Sequence, residues 1–513
     1  MPFSARVDGT LQRYTVTAMP RDTIPQLSKS RFGAGLQCLK RLYLESYSRE
    51  LADPIDPSQQ ALFDSGIAVG ELARQRFPGG RLIAEQYYEH SRAEATTSDA
   101  IADPHMPAIY EAAFTFEGIR IRVDVLRRNS GDTFDLAEVK SSTGVKTEHI
   151  SDAAIQLHVV EGSGIAVRKV FLVHIDNSYV YEGGPYDLSK LFNLEDVTDS
   201  ARAYLSSIPE SLADMWEMLH QDETPSVEIG SQCNRPYQCP FYGYCRQDSP
   251  EHHIEQLPRA RPELMERLHT AGILDISKIP PDFPTLSANQ QRVRDAVVTR
   301  QPYVGSELSV ALAQATYPLH FLDFETFNPA LPTYPGTRPY QIIPFQWSLH
   351  VRDSEGNLTH DSFLHDGDGD PRGTFATSLL DAIGPEGNIV VYSGYEQTVI
   401  KRLAEEFPQY RDRLLALCDR LFDLLAVIRT HYYHPEFHGS YSIKSALPAL
   451  VPGLTYSDLE IQDGSNASVA FGQMISSDTE APERERIRDA LLAYCKMDTL
   501  AMVRLLDTLQ GGS

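Results

Sequence analysis

The sequence predicts an α/β protein of two main units, and three observations carry that expectation. Apolar residues alternate along 110–142, the two-residue period of strands, and a helical stretch at 148–161 and a strand at 169–175 follow. The segment His320-Phe-Leu-Asp-Phe-Glu-Thr-Phe327 reads as a short buried strand, and residues 484–509 form an amphipathic helical run near the far end. Between them, residues 247–262 are charged and Pro-punctuated, which marks a boundary. A chain of 513 residues is too long for one ordinary core. The expected division is a flexible arm at 1–25, a first domain at 26–250, a helical linker at 251–310 and a second domain at 311–513.

A hydrophobic content of 42% is that of a globular protein. No apolar run approaches a membrane span, and the first 25 residues lack the apolar centre of a signal peptide, so a cytoplasmic location without a membrane partner is expected. A formal charge of -24 argues against a broad nucleic-acid-coating surface but allows a local basic groove. Metal sites themselves concentrate acids, so charge alone leaves the partner undecided.

Residues 27–43 read as a capped helix start, a Gly-bearing turn and a second helix containing Cys38. A long helix at 59–77 aligns Gly66, Gly70 and Glu71 within little more than a turn. The glycines would permit close packing, and Glu71 either faces inward as a metal ligand or is a solvated surface acid. In the strands that follow, Asn129-Ser-Gly-Asp132 supplies a hairpin turn. Asp124 lies on the first strand, and Glu138-Val-Lys140 on the return strand puts an acid and an amine on one face. Carboxylates that hold an ion, with a lysine to position or polarise water, suit metal-assisted phosphodiester hydrolysis; a surface hairpin gives the same trio as cross-strand ion pairs.

Cys233, Cys239 and Cys245 recur at equal spacing in a Pro- and Gly-containing loop. With six cysteines and no export signal, a disulfide framework is not expected, whereas three clustered thiols and one distant thiol can supply a four-thiolate metal site. Cys418 and Cys495 fall in apolar helical runs and read as core thiols. Residues 264–298 read as two helices around a turn, either a helix-hairpin-helix-like phosphate-binding module or a plain spacer. Asp366-Gly-Asp-Gly-Asp370 fails as a calcium loop because Thr377 stands at the twelfth position, so a surface turn is expected. His438-Gly-Ser-Tyr-Ser-Ile-Lys444 opens a helix; nearby Tyr432, Tyr433 and Tyr441 either stack unpaired bases or belong to the core.

The densest chemistry lies in the second unit. Strand alternation aims Asp323 and Glu325 at the same face, where two buried acids repel and lose hydration unless a cation sits between them. Magnesium or manganese is the simplest such cation. Tyr494 and Asp498, four residues apart, share one helical face.

These residues resemble the motifs of two nuclease families. Residues 311–513 are similar to the DnaQ-type exonucleases of the RNase H-like fold, a three-layer α/β/α architecture, in the subgroup with a Tyr-x3-Asp third motif. The resemblance implies that Asp323, Glu325 and Asp498 bind two metal ions and that Tyr494 orients the water. The second motif usually carries Asn and Asp; here Asn388-Ile-Val-Val-Tyr-Ser-Gly-Tyr-Glu396 offers Glu396, with Asp423 as the rival acid. Lys444 matches the family's Ser-Leu-Lys segment, which shapes the substrate groove.

Residues 26–250 resemble the RecB-type PD-(D/E)XK nucleases of the restriction-endonuclease-like fold, with Asp124, Glu138 and Lys140 as the implied catalytic set and Val123 in place of the Pro. Gln156 matches the first half of their Gln-x3-Tyr substrate motif, and Val160 replaces its Tyr. Iron-sulfur members place one cysteine before the core and three after it, which implies Cys38, Cys233, Cys239 and Cys245 as ligands of a 4Fe-4S cluster. The wide gap before Cys239 departs from their tighter pair and leaves zinc or a metal-free loop open. The whole chain resembles a bacterial family of unknown function that fuses these two domains, through His174-Ile-Asp-Asn-Ser-Tyr-Val180, Gly439-Ser-Tyr-Ser-Ile-Lys444 and Tyr494-Cys-x-x-Asp-Thr-Leu-Ala501. The expected function is a metal-dependent nuclease with two candidate active sites, one in each domain, that degrades or trims DNA with single-stranded ends. The alternative is a nucleic-acid-binding or redox-sensing iron-sulfur protein that has lost catalysis.

Overall fold

The structure, a computed structural model, describes residues 24–129 and 132–511, so the expected arm lies outside the described residues except for its last two positions. The fold is α/β, as predicted, and is organised on two mixed sheets.

The N-terminal unit opens with a short strand, Leu27–Ser28, then helices α1 (Lys29–Gln37), α2 (Leu39–Tyr47) and α3 (Pro57–Arg74). Its sheet runs Arg81–Leu82, β1 (Ala108–Phe116), β2 (Ile119–Arg128), β3 (Phe134–Lys140), β4 (Val167–Ile175) and β5 (Phe192–Asp196) in spatial order. Helix α4 (Thr147–Gly162) makes the crossover between parallel β3 and β4. The alternating run before residue 129 is two strands, not one. Glu117 and Gly118 both have positive φ and form a two-residue turn without the Asn-Gly signal that usually betrays one. Gly33 and Gly35 likewise sit inside α1 instead of forming a turn, and the chain breaks at Cys38, which is extended. A Cβ on Gly35 would lie 2.6 Å from the Met215 side chain, so close packing explains that glycine.

Strand β2 pairs with β3 only over Val125–Arg128, beyond which the two separate. Leu27–Ser28 pairs with Ile119 and Arg120 on the edge that β3 has left. The sheet is therefore forked at Asp124.

In the C-terminal unit the order is β8 (Leu358–Leu364), β7 (Ile343–Arg352), β6 (Leu319–Phe327), β9 (Ile389–Val391), β10 (Leu421–Asp423). β7 is antiparallel to both neighbours, and β9 and β10 run parallel with β6. Helices Pro371–Ala382 and α5 (Tyr395–Glu406) bury one face against Leu322 and Phe324. Helices α6 (Ile443–Leu450), α7 (Gly464–Met474) and α8 (Ala481–Gly511) cover the other, against Phe321 and Phe327. The expected linker belongs to this second core: Leu264 and Leu268 of Pro262–Thr270, and Val293 and Val297 of Ala288–Thr299, pack with Leu319 and Leu505. Residues 271–287 separate the two helices, a wider join than a tight helical hairpin.

Loop 328–342 docks on the N-terminal unit, where Tyr181 and Gly336 exchange backbone hydrogen bonds with Thr337 and Tyr181 at 2.9 and 2.7 Å. The Tyr340 hydroxyl donates to the Ser141 carbonyl, one residue past β3. Among the described residues no helix is long and apolar enough to cross a membrane.

Candidate active site

Alternation along β6 sends Leu322 and Phe324 into one core and Asp323 and Glu325 toward α8, as the sequence pattern predicts. The strand partners of these two acids hold that helix in place. Ser348, opposite Asp323, lies 2.9 Å from Thr499 Oγ1, and Gln346, opposite Glu325, donates to the Leu491 carbonyl at 2.8 Å. Tyr494 and Asp498 are thereby presented to β6.

Asp323, Glu325, Glu396, Tyr494 and Asp498 line one cavity of about 330 Å³. Glu396 enters from the first turn of α5, is 3% exposed, and its Oε2 has no hydrogen-bond partner. Asp423 instead caps helix Leu424–His431, accepting from the Ala426 N–H at 2.9 Å, and does not line the cavity. The fourth acid is Glu396. Tyr456 donates to Asp498 Oδ1 at 2.6 Å, and Lys444 Nζ stands 5.6 Å from the Tyr494 ring centre. Tyr456 belongs to no periodic element, which is why sequence reasoning missed it. Tyr433 and Tyr441 are core residues, which removes Tyr433 from any base-stacking role.

Burial and then the charge of Asp498 push the Asp323 and Glu325 carboxyls well above their ordinary range. Burial, with Asp423 and Asp498 adding, takes Glu396 up to about 8. Asp498 rises only to about 6, because hydroxyls of Tyr456 and Tyr494 and the Lys444 charge oppose its burial. Both phenols are raised by burial and by Asp498, so they stay protonated donors. Cys495, a buried core thiol as predicted, lies 3.6 Å from Asp323 Oδ2 and is held protonated by burial and that carboxylate. Four acids faced by one lysine, with an orphaned carboxylate oxygen, are a donor set suited to a hard divalent cation.

Residues 320–442 match a family model described as a domain of unknown function, DUF2779. No curated protein matches the chain. The DUF2779 segment includes Asp323, Glu325 and Glu396, and ends before Lys444, Tyr494 and Asp498.

Outside that segment, the fork in the N-terminal sheet holds a second cluster. Asp124 Oδ2 accepts from the Val139 N–H at 2.7 Å, across the gap where β2 leaves β3. Glu138, 1% exposed, accepts from Lys29 at 2.6 Å and pairs with Lys140 at 2.9 Å through Oε1, and accepts from Gln156 at 2.7 Å through Oε2. Lys140 also pairs with Asp152 at 2.5 Å. Lys29 escaped sequence reasoning because it reaches Glu138 from 109 residues away, delivered by the pairing of Leu27–Ser28 with β2. Glu71 does not join this group: it is exposed on α3 and, among the described residues, its side chain makes no hydrogen bond or ion pair. Gly66 and Gly70 make no close packing there either, since a Cβ added at either would meet nothing within 4 Å.

Burial and Glu138 raise Asp124 to about 7. Burial would raise Glu138 too, but Lys140 and Lys29 outweigh it and hold that carboxyl well below its usual range. Both oxygens of Glu138 are thus satisfied from within the chain, and a divalent ion would have to displace Lys29. Lys29→Met leaves buried acids short of a counter-charge, and a loss of about 3 kcal/mol is expected in urea unfolding at pH 7, the scale for breaking one side of a buried pair.

The four predicted cysteines converge. Cys38, Cys233, Cys239 and Cys245 line one small cavity with Lys40 and Arg41 beside them, and all are free thiols. The loop is stitched to the first helices by Gln37, which donates to the Gln232 and Tyr237 carbonyls at 2.6 and 2.8 Å, and by Gly243, whose N–H donates to Asp53 at 3.0 Å. Burial pushes the Cys239 thiol up to about 11. Among the described residues, no three of these sulfurs lie within 4.8 Å of one another. Four thiols beside two cations suit an anionic four-thiolate centre.

Proposed function

We propose that the chain is a metal-dependent nuclease, cytoplasmic, whose hydrolytic centre is the Asp323, Glu325, Glu396 and Asp498 cluster and whose substrate is DNA with single-stranded ends. The observation that carries this is the set of four carboxylates, three buried and Asp323 half-buried, with Glu396 Oε2 unpartnered: such a set is stable either partly protonated or around cations. The order β8-β7-β6-β9-β10, with the first acids on the central strand and Asp498 on a helix laid across it, supports the RNase H-like reading. Magnesium or manganese held by these acids would stabilise charge on the attacking and leaving oxygens. Tyr494, kept protonated, positions the water, and Lys444 offers positive charge to the phosphate beside it.

The N-terminal fork supports a different reading of the first unit. Its PD-(D/E)XK-like residues are neutralised by Lys29, so we assign it a scaffold and binding role, with the iron-sulfur centre bracing it. The test is cleavage of end-labelled single- and double-stranded DNA and RNA with and without manganese. Wild type and Asp124→Asn are expected to degrade DNA from ends, and Asp323→Asn to leave it intact. Undiminished cleavage by Asp323→Asn would overturn the assignment.

A further inference from the structure

Between the expected linker and the rest of the C-terminal core lies a cavity of about 1520 Å³, well above the size of small-molecule pockets, which run to ~1,000 Å³. Arg259, Arg261, Arg267 and Arg429 all line it, and among the described residues none of the four is in a salt bridge or donates a side-chain hydrogen bond. What sets the four apart is that they share one cavity, whereas Arg41, Arg74, Arg127, Arg352, Arg372 and Arg486 are each paired with a carboxylate. Among the described residues Glu263 is the one acid on the wall. Tyr441, 9% exposed, lines the same cavity with its hydroxyl unpartnered.

The walls are fixed, not loosely tethered. Gly439 packs so tightly that a Cβ would lie 2.2 Å from the Gln256 carbonyl oxygen, and Gln290 donates to the Pro258 carbonyl at 3.0 Å. Tyr392 lines both this cavity and the acidic one, and its hydroxyl donates to the Tyr441 carbonyl at 3.1 Å. Two residues past Ser442, on the rim, Lys444 stands over Tyr494. The arginine-lined cavity therefore opens toward the acid cluster.

We propose that this groove carries the sugar-phosphate backbone of a single nucleic-acid strand, whose end passes Tyr392 into the Asp323 and Asp498 site. This rests on the nuclease reading for the destination of the strand but not for its binding. Exposed, unpaired guanidiniums match phosphate oxygens, and an open trough of this volume suits a polymer more than a nucleotide.

The test uses full-length protein, fluorescently labelled oligo(dT) and oligo(rU), chelator to prevent cleavage, and a series of salt concentrations. Arg261→Gln, Arg267→Gln and Arg429→Gln combined are expected to weaken oligonucleotide binding at least 10-fold. The slope of log affinity against log salt should become shallower by about 2, from about 0.7 per phosphate contact on single strands. Hydrolysis of a small nitrophenyl phosphodiester should stay near wild type, because the acids are untouched. Unchanged oligonucleotide affinity overturns the groove, as does binding of polyglutamate with no binding of either oligonucleotide. Loss of oligonucleotide affinity in a protein that never hydrolyses the small ester supports the groove and removes the nuclease reading alone. Preference for oligo(dT) or oligo(rU) identifies which strand it carries.

Discussion

Asp498→Ala is expected to lose manganese binding and hydrolysis together, with a rate loss of about 10³-fold or more, whereas Tyr494→Phe keeps the metal and loses about 10²-fold in rate. The two residues sit one turn apart but meet different neighbours. Asp498 is a charged wall of the acidic cavity, steadied by Tyr456 at 2.6 Å, so its removal takes away a ligand. Tyr494 contributes only a hydroxyl that stays protonated, so Phe preserves every carboxylate. Calorimetric manganese titration separates them, and equal manganese binding by Asp498→Ala and wild type would sink the two-metal assignment. The same titration distinguishes Glu396→Gln, expected to weaken binding, from Asp423→Asn, expected to spare binding and most of the stability, because Asn accepts the same Ala426 N–H as a helix cap.

The cluster also dictates a pH dependence. Asp498 is raised from 3.8 to about 6 and Glu396 from 4.5 to about 8. For groups raised on folding, the stabilising contribution is complete below the unfolded values and disappears as pH climbs through the folded ones. Metal-free protein should therefore melt progressively lower between pH 5 and pH 8, and manganese should restore most at the alkaline end. Manganese affinity should rise by about tenfold per pH unit for each proton released. A melting temperature that is flat in chelator over that range would contradict the raised carboxyls.

Much of this site was legible because strand and helix periods are strict. Two residues on a strand must share a face, and four on a helix must stack, so Asp323 with Glu325 and Tyr494 with Asp498 could be paired before any fold was known. Choosing between Glu396 and Asp423 could not be done that way. Both flank short strands, and only the cap that engages Asp423 and the burial of Glu396 separate them. Lys29 was invisible for a related reason: its role depends on a two-residue strand filling the edge that β3 vacates, a contact no local pattern encodes. The arginine groove was hidden because 251–310 reads as a separate linker, whereas its apolar faces complete the second core.

Cys239→Ser is expected to abolish a bound metal centre and to destabilise the first unit by several kcal/mol, while Cys418→Ser leaves both intact. Cys239 is the most buried of the four converging thiols, and its backbone N–H already donates to the Cys233 carbonyl at 2.7 Å, so the loop is shaped around it. Cys38 sits at the break between α1 and α2, so a centre held there would tie together segments nearly 200 residues apart. Structural metal sites supply folding free energy outright, about 10 kcal/mol or more for zinc, which makes this the largest single loss of stability anticipated in the molecule. Iron is the expected metal, since four thiols grouped beside Lys40 and Arg41 suit an anionic cluster. Anaerobically purified protein should therefore be brown and contain iron and acid-labile sulfide in equal amounts, both lost in Cys239→Ser. Colourless protein with one zinc per chain would refute the cluster and keep the four ligands.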